Sequence, residues 1–270
     1  METNESPVAP CVQADVIASA PVLLGDSASA RQLRREIARI AALNVTVLIE
    51  GAVGTGKTLV AHALHDASRR LSGPFVQVAC ANLDPLTAPS TLFGHRRGAF
   101  RGARDDRAGL FEAADHGTLL LQGIGDMPLE VQGLLLRAVE ERSVRPLGAT
   151  DLRTVDVRLV ATTDRDLTAE IAAGHFRADL FYRLCVCRLQ LPRLESRRED
   201  IPLLADAFRR HACQVYGRRV DGISPDARRH LTTRSWPANI AELKVTIDAA
   251  VRRSTGTILE LRDFRDHIDE

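Results

Sequence analysis

The sequence predicts an α/β fold, in which helices cover both faces of a parallel sheet, followed by a small all-α unit. Short apolar runs alternate with helical patterns up to about residue 194, and such alternation is typical of parallel βαβ units. The first apolar run ends in a glycine-rich turn that opens a helical pattern. Beyond residue 194 the strand patterns stop. We therefore predict a flexible leader at 1–22, an α/β subdomain at 23–194 and a helical subdomain at 195–270.

Five apolar runs supply the predicted strands, and helical patterns lie between most of them. The clearest helix is 128–142, because its apolar residues recur at i, i+3, i+4, i+7 and i+8. Three further helices are predicted at 199–213, 225–235 and 239–253. The predicted strands lie at 45–49, 75–78, 118–121, 157–161 and 184–191.

The composition excludes several classes of protein. The 270 residues include 36 Lys+Arg and 35 Asp+Glu, so no overall basic excess favours non-specific nucleic-acid binding. No apolar run approaches the roughly 20 residues that span a bilayer, so we expect no membrane segment. The five cysteines are odd in number and irregularly spaced, which favours a reduced, cytoplasmic compartment. Only two of the basic residues are lysines, Lys57 and Lys244.

One of these lysines lies in a phosphate-binding motif. Residues 51–58 read GAVGTGKT and fit GxxxxGK[ST] between a predicted strand and a predicted helix. In such a loop the backbone amides cradle phosphates, the lysine reaches the outer phosphates and the last hydroxyl ligates Mg²⁺. We therefore predict ATP or ADP with Mg²⁺ as cofactors, and Thr58 as a metal ligand. The predicted phosphate-binding residues are Gly51, Gly54, Thr55, Gly56, Lys57 and Thr58.

The acidic pair that hydrolysis requires is missing from its expected place. A carboxylate that organises Mg²⁺ and one that activates water should follow the strand at 118–121. Gln122 and Gly123 occupy those positions, and Asp126 lies three residues further on. Loss of a positioned base typically costs about 10²–10⁴ in rate, so we expect hydrolysis to be lost or weak.

Several segments together resemble a known family. The chain resembles the central AAA+ domain of the bacterial enhancer-binding proteins, which activate sigma-54 RNA polymerase. The resemblance runs from about residue 24 to 266 and implies a P-loop αβα sandwich with a small helical lid subdomain, here 195–270. It also implies a function in transcription regulation. Its segments are 51–58, 92–103, 109–141, 157–167, 175–184, 191–204 and 236–244.

The departures from the family pattern cluster at functional positions. The family usually has Asp-Glu where this chain has Gln122-Gly123, and an Asn that senses nucleotide state where it has Ala79. The sensor-II Arg of the lid corresponds to Ala241. The loop that contacts sigma-54 usually reads GAFTGA, whereas residues 98–103 read GAFRGA, so Arg101 is expected to weaken contact with sigma-54 RNA polymerase.

Two arginines persist from the family pattern. Arg177 and Arg183 match the arginines that family members extend to a neighbouring subunit's γ-phosphate, so the resemblance implies a catalytic role in trans. Ordinary surface arginines remain the alternative. The expected partners are other copies of the chain or paralogous AAA+ subunits. No helix-turn-helix pattern follows the last predicted helix, so we expect no intrinsic DNA-binding domain.

Three functions remain open from the sequence. The favoured one is an ATP-binding domain that is deficient in hydrolysis and acts through oligomerisation, homomeric or heteromeric. The second is an active ATPase that remodels sigma-54 RNA polymerase, with Asp126 or another carboxylate in place of the missing pair. The third is an interaction domain that binds no nucleotide.

Overall fold

A computed structural model describes residues 23–264, and the predicted leader at 1–22 lies outside them. A five-stranded, wholly parallel sheet forms the centre of the α/β part, in the order β2 (Phe75–Ala79), β3 (Thr118–Gln122), β4 (Arg158–Thr163), β1 (Val47–Glu50) and β5 (Cys187–Gln190). The helices that surround the sheet are α1 Ala28–Ala41, α2 Lys57–Asp66, α3 Ala88–Phe93, α4 Leu110–Ala113, α5 Leu129–Glu141, α6 Leu167–Ala172 and α7 Ala178–Leu184.

The middle strands have apolar centres, such as Leu119–Leu121 of β3, because the sheet is covered on both sides. In β3, Leu119 and Leu121 belong to a core that α5 and α7 complete, whereas Leu120 points to the opposite core with α1 and α2. Successive side chains of a strand face opposite sides, so an uninterrupted apolar run serves two cores at once. The predicted αβα arrangement is confirmed.

The lid subdomain has its own core around Trp236, which is fully buried. Its helices are α8 Ile201–Tyr216, α9 Pro225–Thr233 and α10 Asn239–Arg253. The lid is not wholly helical, because Gly222–Ile223 pairs in parallel with Ile258–Leu259. None of the helices in the described part of the chain has the length and apolarity that crossing a membrane requires.

A buried carboxylate joins the start of α1 to the lid. Asp200 is 1% exposed and accepts hydrogen bonds from the backbone amides of Asp26 and Ser27, both at 2.8 Å. The Ser27 hydroxyl also donates to Asp200, at 2.6 Å, while it accepts from the amide of Ala30 as the N-cap of α1. Asp200 thus completes the cap of a helix that begins far from it in sequence.

We predict that Asp200→Ala lowers the free energy of unfolding by about 3 kcal/mol or more, because three donors lose a charged acceptor in a buried place. Urea unfolding followed by circular dichroism measures the change. Asp221→Ala is the matched control, since Asp221 pairs with Arg219 on the open surface, and it should change stability by less than about 0.5 kcal/mol. Equal unfolding curves for the two variants would show that the contacts of Asp200 with Asp26 and Ser27, here called the Asp200 clamp, do not stabilise the fold.

Candidate functional site

The glycine-rich loop lies between β1 and α2, at the carboxyl edge of the parallel sheet. Gly54 and Gly56 have φ angles of +75° and +96°, a region that side chains disfavour. A Cβ atom on Gly54 would lie 1.9 Å from the carbonyl oxygen of Ala238 in the lid. Glycine at 54 is therefore required twice, by the turn and by the close approach of the lid.

Lys57 and Thr58 occupy the first turn of α2. The Lys57 ammonium donates to the carbonyls of Gly51 at 2.7 Å and Ala52 at 3.0 Å. Burial lowers the pKa of Lys57, and the nearby charge of Asp164 opposes this effect. An anion in the loop would offer this partly desolvated ammonium a stronger partner than two neutral carbonyls do.

The buried side-chain amide of Asn239 joins the lid to the glycine-rich loop by a hydrogen bond. Asn239 is 1% exposed and donates through Nδ2 to the carbonyl of Val53 at 2.8 Å. Its Oδ1 accepts from the amide of Leu194 at 2.9 Å. The amide of Ala241 also donates to the carbonyl of Gly54, at 3.2 Å. Because Asn239 has a φ of +54°, its left-handed backbone begins α10 directly against the loop.

The loop and lid enclose a cleft of about 380 Å³. Its lining includes three cationic side chains, Lys57, Arg197 and Lys244, and no carboxylate. Of the predicted loop residues, Gly54, Thr55, Gly56, Lys57 and Thr58 line the cleft, whereas Gly51 packs against Leu191. The remaining lining is mainly aliphatic and aromatic: Leu23, Leu24, Leu33, Leu59, Val60, Leu204, Phe208, Ile240 and Ala241.

Arg197 is an unusual member of this lining. It is 5% exposed, and burial lowers its pKa while Asp200 opposes that effect. Its Nη2 lies 3.4 Å from the carbonyl of Thr55, and its Nε has no hydrogen-bond partner within the described residues. A buried donor without a partner is costly unless a ligand satisfies it.

The end of β3 lacks acidic side chains beside the loop. Gln122 donates through Nε2 to the Thr58 hydroxyl at 3.1 Å, and Ala79 is its direct neighbour on β2. Gly123 has a left-handed backbone, with φ +65°, and a Cβ there would lie 2.8 Å from Oδ2 of Asp126. Asp126 is itself paired with Arg165. The strand ends beside the loop therefore present the amide of Gln122 and the methyl group of Ala79, while Gly123 has no side chain.

Comparison with known proteins identifies the family. The model of the sigma-54 interaction domain matches residues 23–190, and that of the AAA+ ATPase lid domain matches residues 195–270. The chain belongs to the sigma-54 interaction domain family. Its predicted resemblance is thereby confirmed, with the α/β P-loop fold that the resemblance implied.

The curated relatives are transcriptional regulatory proteins. The chain is 46% identical over 242 residues to the transcriptional regulatory protein ZraR of Salmonella typhimurium, covering 90% of this chain and 55% of the relative. It is also 46% identical to the regulatory protein AtoC of Escherichia coli, with 90% and 52% covered. The chain spans about half the length of the curated relatives it matches.

Solved structures of NtrX from Brucella abortus share the fold. Crystal structures in complex with ADP and with ATP each have a TM-score of 0.82 and 35% identity to this chain. Each comparison covers 90% of this chain and 54% of the NtrX chain.

The two arginines of the family pattern lie on the surface of α7. Arg177 immediately precedes the helix and pairs with Asp179 through two bonds of 3.0 and 2.7 Å. This pairing raises the pKa of Arg177 and lowers that of Asp179. Arg183 contacts Glu140 at 3.1 Å. Neither arginine lines the cleft, so within one chain neither is placed to contact a ligand there.

The segment that corresponds to GAFTGA forms an exposed turn. The amide of Gly98 donates to the carbonyl of Ala103 at 2.9 Å, which closes the turn. Arg101 is exposed at its tip, next to Phe100, whose exposed fraction is 45%. Gly98 and Gly102 both have positive φ, and a Cβ added at either would meet nothing within 4 Å, so the backbone of the turn is not packed at these two positions.

Three residues at the site were not predicted from the sequence: Asn239, Arg197 and Lys244. Each comes from the lid or the segment that leads into it, far from the loop along the chain. For Lys244 a signal existed, because it follows Ala241 by three residues on a helix and therefore lies near the same face. Nothing local distinguishes Arg197 from the many other arginines.

We predict that Gly123→Ala lowers the free energy of unfolding by about 2 kcal/mol or more, from left-handed strain plus pressure on the Asp126 carboxylate. Gly217→Ala is the matched control, because Gly217 has a similar φ of +61° with nothing within 4 Å of the added Cβ. It should cost about 1 kcal/mol. Urea unfolding measures both, and equal losses would show that Asp126 does not restrict position 123.

Proposed function

We propose that this chain is a nucleotide-binding AAA+ domain of the sigma-54 activator type that takes part in transcription regulation without effective ATP hydrolysis. The observation that carries the proposal is a complete phosphate loop facing a strand end without carboxylates. The domain binds ATP or ADP and acts through assembly with copies of itself or with paralogous AAA+ subunits.

Nucleotide binding is supported by how the cleft divides into two kinds of surface. The loop amides, the start of α2 and Lys57 offer positive charge to phosphates. The aliphatic side, which includes Leu23, Phe208 and Ile240, offers an apolar surface for the base. The NtrX neighbours, crystallised with ADP and ATP, support the same ligand class.

The loss of hydrolysis follows from the chemistry of the strand end. Gln122 cannot accept a proton from water at neutral pH, and Gly123 has no side chain. The active-ATPase alternative would need another base. Asp126 is paired with Arg165. The other candidate base is Asp164, whose charge opposes the burial that lowers the pKa of Lys57. Mg²⁺ has no acidic ligand beside the Thr58 hydroxyl, whose side-chain partner among the described residues is the Gln122 amide.

We propose further that Arg177 and Arg183 serve a neighbouring subunit. Both guanidinium groups are exposed and held by single acidic partners, so they are available to another chain's γ-phosphate. Arg101 at the exposed turn adds a cation where the family usually has a hydroxyl, so contact with sigma-54 RNA polymerase is weakened. The chain then modulates an assembly in which other subunits hydrolyse ATP.

We predict that Lys57→Ala weakens ADP and ATP binding by about 10- to 100-fold, because a charge-assisted contact of about 1.5–3 kcal/mol is lost. Calorimetric titration measures the affinity. Arg210→Ala removes an exposed cation of α8 outside the cleft lining and should leave the affinity unchanged. Steady turnover of ATP by the unmodified chain, abolished by Lys57→Ala, would refute the hydrolysis-deficient function and favour the active ATPase.

Mixing experiments test the two arginines. A family member whose own two interface arginines are replaced by alanine should hydrolyse ATP, supplied in excess, once this chain is added, because Arg177 and Arg183 then complete the shared interfaces. The variants Arg177→Ala and Arg183→Ala should lower that turnover at least about tenfold, because arginine fingers contribute large factors to rate. Arg210→Ala again serves as control. Identical turnover with all variants would leave the arginines as ordinary surface residues.

A further inference from the structure

We infer that the cleft binds its nucleotide without a divalent metal, with three side-chain cations in place of Mg²⁺. This inference rests on the proposed nucleotide binding and concerns the form in which the ligand is bound. It departs from the cofactor that the phosphate loop predicts, because the residues at the metal position do not fit a magnesium ion.

The metal position is defined by the Thr58 hydroxyl. Magnesium in nucleotide sites is held by oxygen atoms, usually from one or two carboxylates together with phosphates and water. The side chain nearest to this hydroxyl across the sheet edge is Gln122, and its Nε2 donates to the hydroxyl oxygen at 3.1 Å. An amide N–H directed at that oxygen occupies a lone pair and presents positive charge where the ion would lie.

The surrounding carboxylates are used elsewhere. Glu50, at the end of β1, holds Arg188 through three contacts of 2.8 to 3.1 Å. Asp126 holds Arg165. No cluster of three His, Cys, Asp or Glu side chains suited to a metal exists within residues 23–264. Asp164 is exposed, its charge opposes the burial that lowers the pKa of Lys57, and it does not line the cleft.

The cationic side chains of the cleft can neutralise the phosphate charge that a magnesium ion would otherwise neutralise. Its lining holds Lys57, Arg197 and Lys244 and no acidic residue. ADP carries roughly three negative charges at neutral pH, so three side-chain cations compensate it fully. Adding Mg²⁺ to this set would place two further positive charges near the cations, which Coulomb repulsion disfavours.

Arg197 and Lys244 reach the cleft from outside the glycine-rich loop. Arg197 already donates to the Thr55 carbonyl at 3.4 Å and lies near the charge of Asp200. Arg197 is buried with an Nε that has no hydrogen-bond partner in the described chain, so a phosphate oxygen would relieve its cost. Lys244 lies one helical turn after Ala241, the position from which the family usually extends an arginine. Its long side chain thus returns a positive charge to the lid side of the cleft.

The test is calorimetric titration of the whole chain with ADP and with ATP, in excess EDTA and in excess MgCl₂. We expect the two ADP affinities to agree within about a factor of two. Lys244→Ala should weaken ADP binding in EDTA about tenfold, as loss of one charged contact implies, while Arg210→Ala should not. Thermal melting first establishes that each variant is folded.

Gln122→Asp is the converse variant. It places a carboxylate beside the Thr58 hydroxyl, so binding should become at least about tenfold stronger in MgCl₂ than in EDTA. A similar preference for MgCl₂ in the unmodified chain would overturn the inference, and its loss in Asp164→Asn would assign the metal to Asp164. Absence of binding in both buffers would instead refute the proposed nucleotide binding itself.

Discussion

The contact between the Asn239 side chain and the glycine-rich loop is the interaction on which the rest of the site depends. One buried amide donates to the carbonyl of Val53 and accepts from the amide of Leu194, so loop, linker and lid meet at a single residue. The loop can approach so closely only because Gly54 has no side chain. Together with the bond from the Ala241 amide to the Gly54 carbonyl, this contact holds the start of α10 against the loop that borders the cleft.

Electrostatics gives that cleft its character. The family pattern places acidic groups opposite basic ones across the phosphates, whereas the charged residues that line this cleft, Lys57, Arg197 and Lys244, are all basic. The substitutions are mutually consistent, since the Asn that the family usually has at position 79 would pair with a Glu at position 123, and both are absent here. The proposed loss of hydrolysis follows from these neutral groups, which cannot activate water, and the proposed nucleotide binding follows from the retained glycine-rich loop.

Much of the fold could be predicted because buried parallel strands are apolar without interruption. The predicted strand at 184–191 began too early, since Leu184 is the last residue of α7, and a buried helix end and a buried strand are equally apolar. The loop at 51–58 was predictable because its chemistry is local. Arg197 and Lys244 were not, because only the tertiary packing of the lid brings them to the cleft.

The Asp200 clamp has a consequence for the order in which the chain folds. The cap of α1 is complete only when residues 26 and 27 meet Asp200, 173 or 174 positions later in the sequence. Such a contact closes a long loop and forms late, so the first turn of α1 gains its full stability only after the lid has assembled. Nascent chains that lack the lid would expose a frayed helix start to proteases. Helix α1, which comes before every strand of the sheet in the sequence, therefore depends on the lid subdomain for the stability of its first turn.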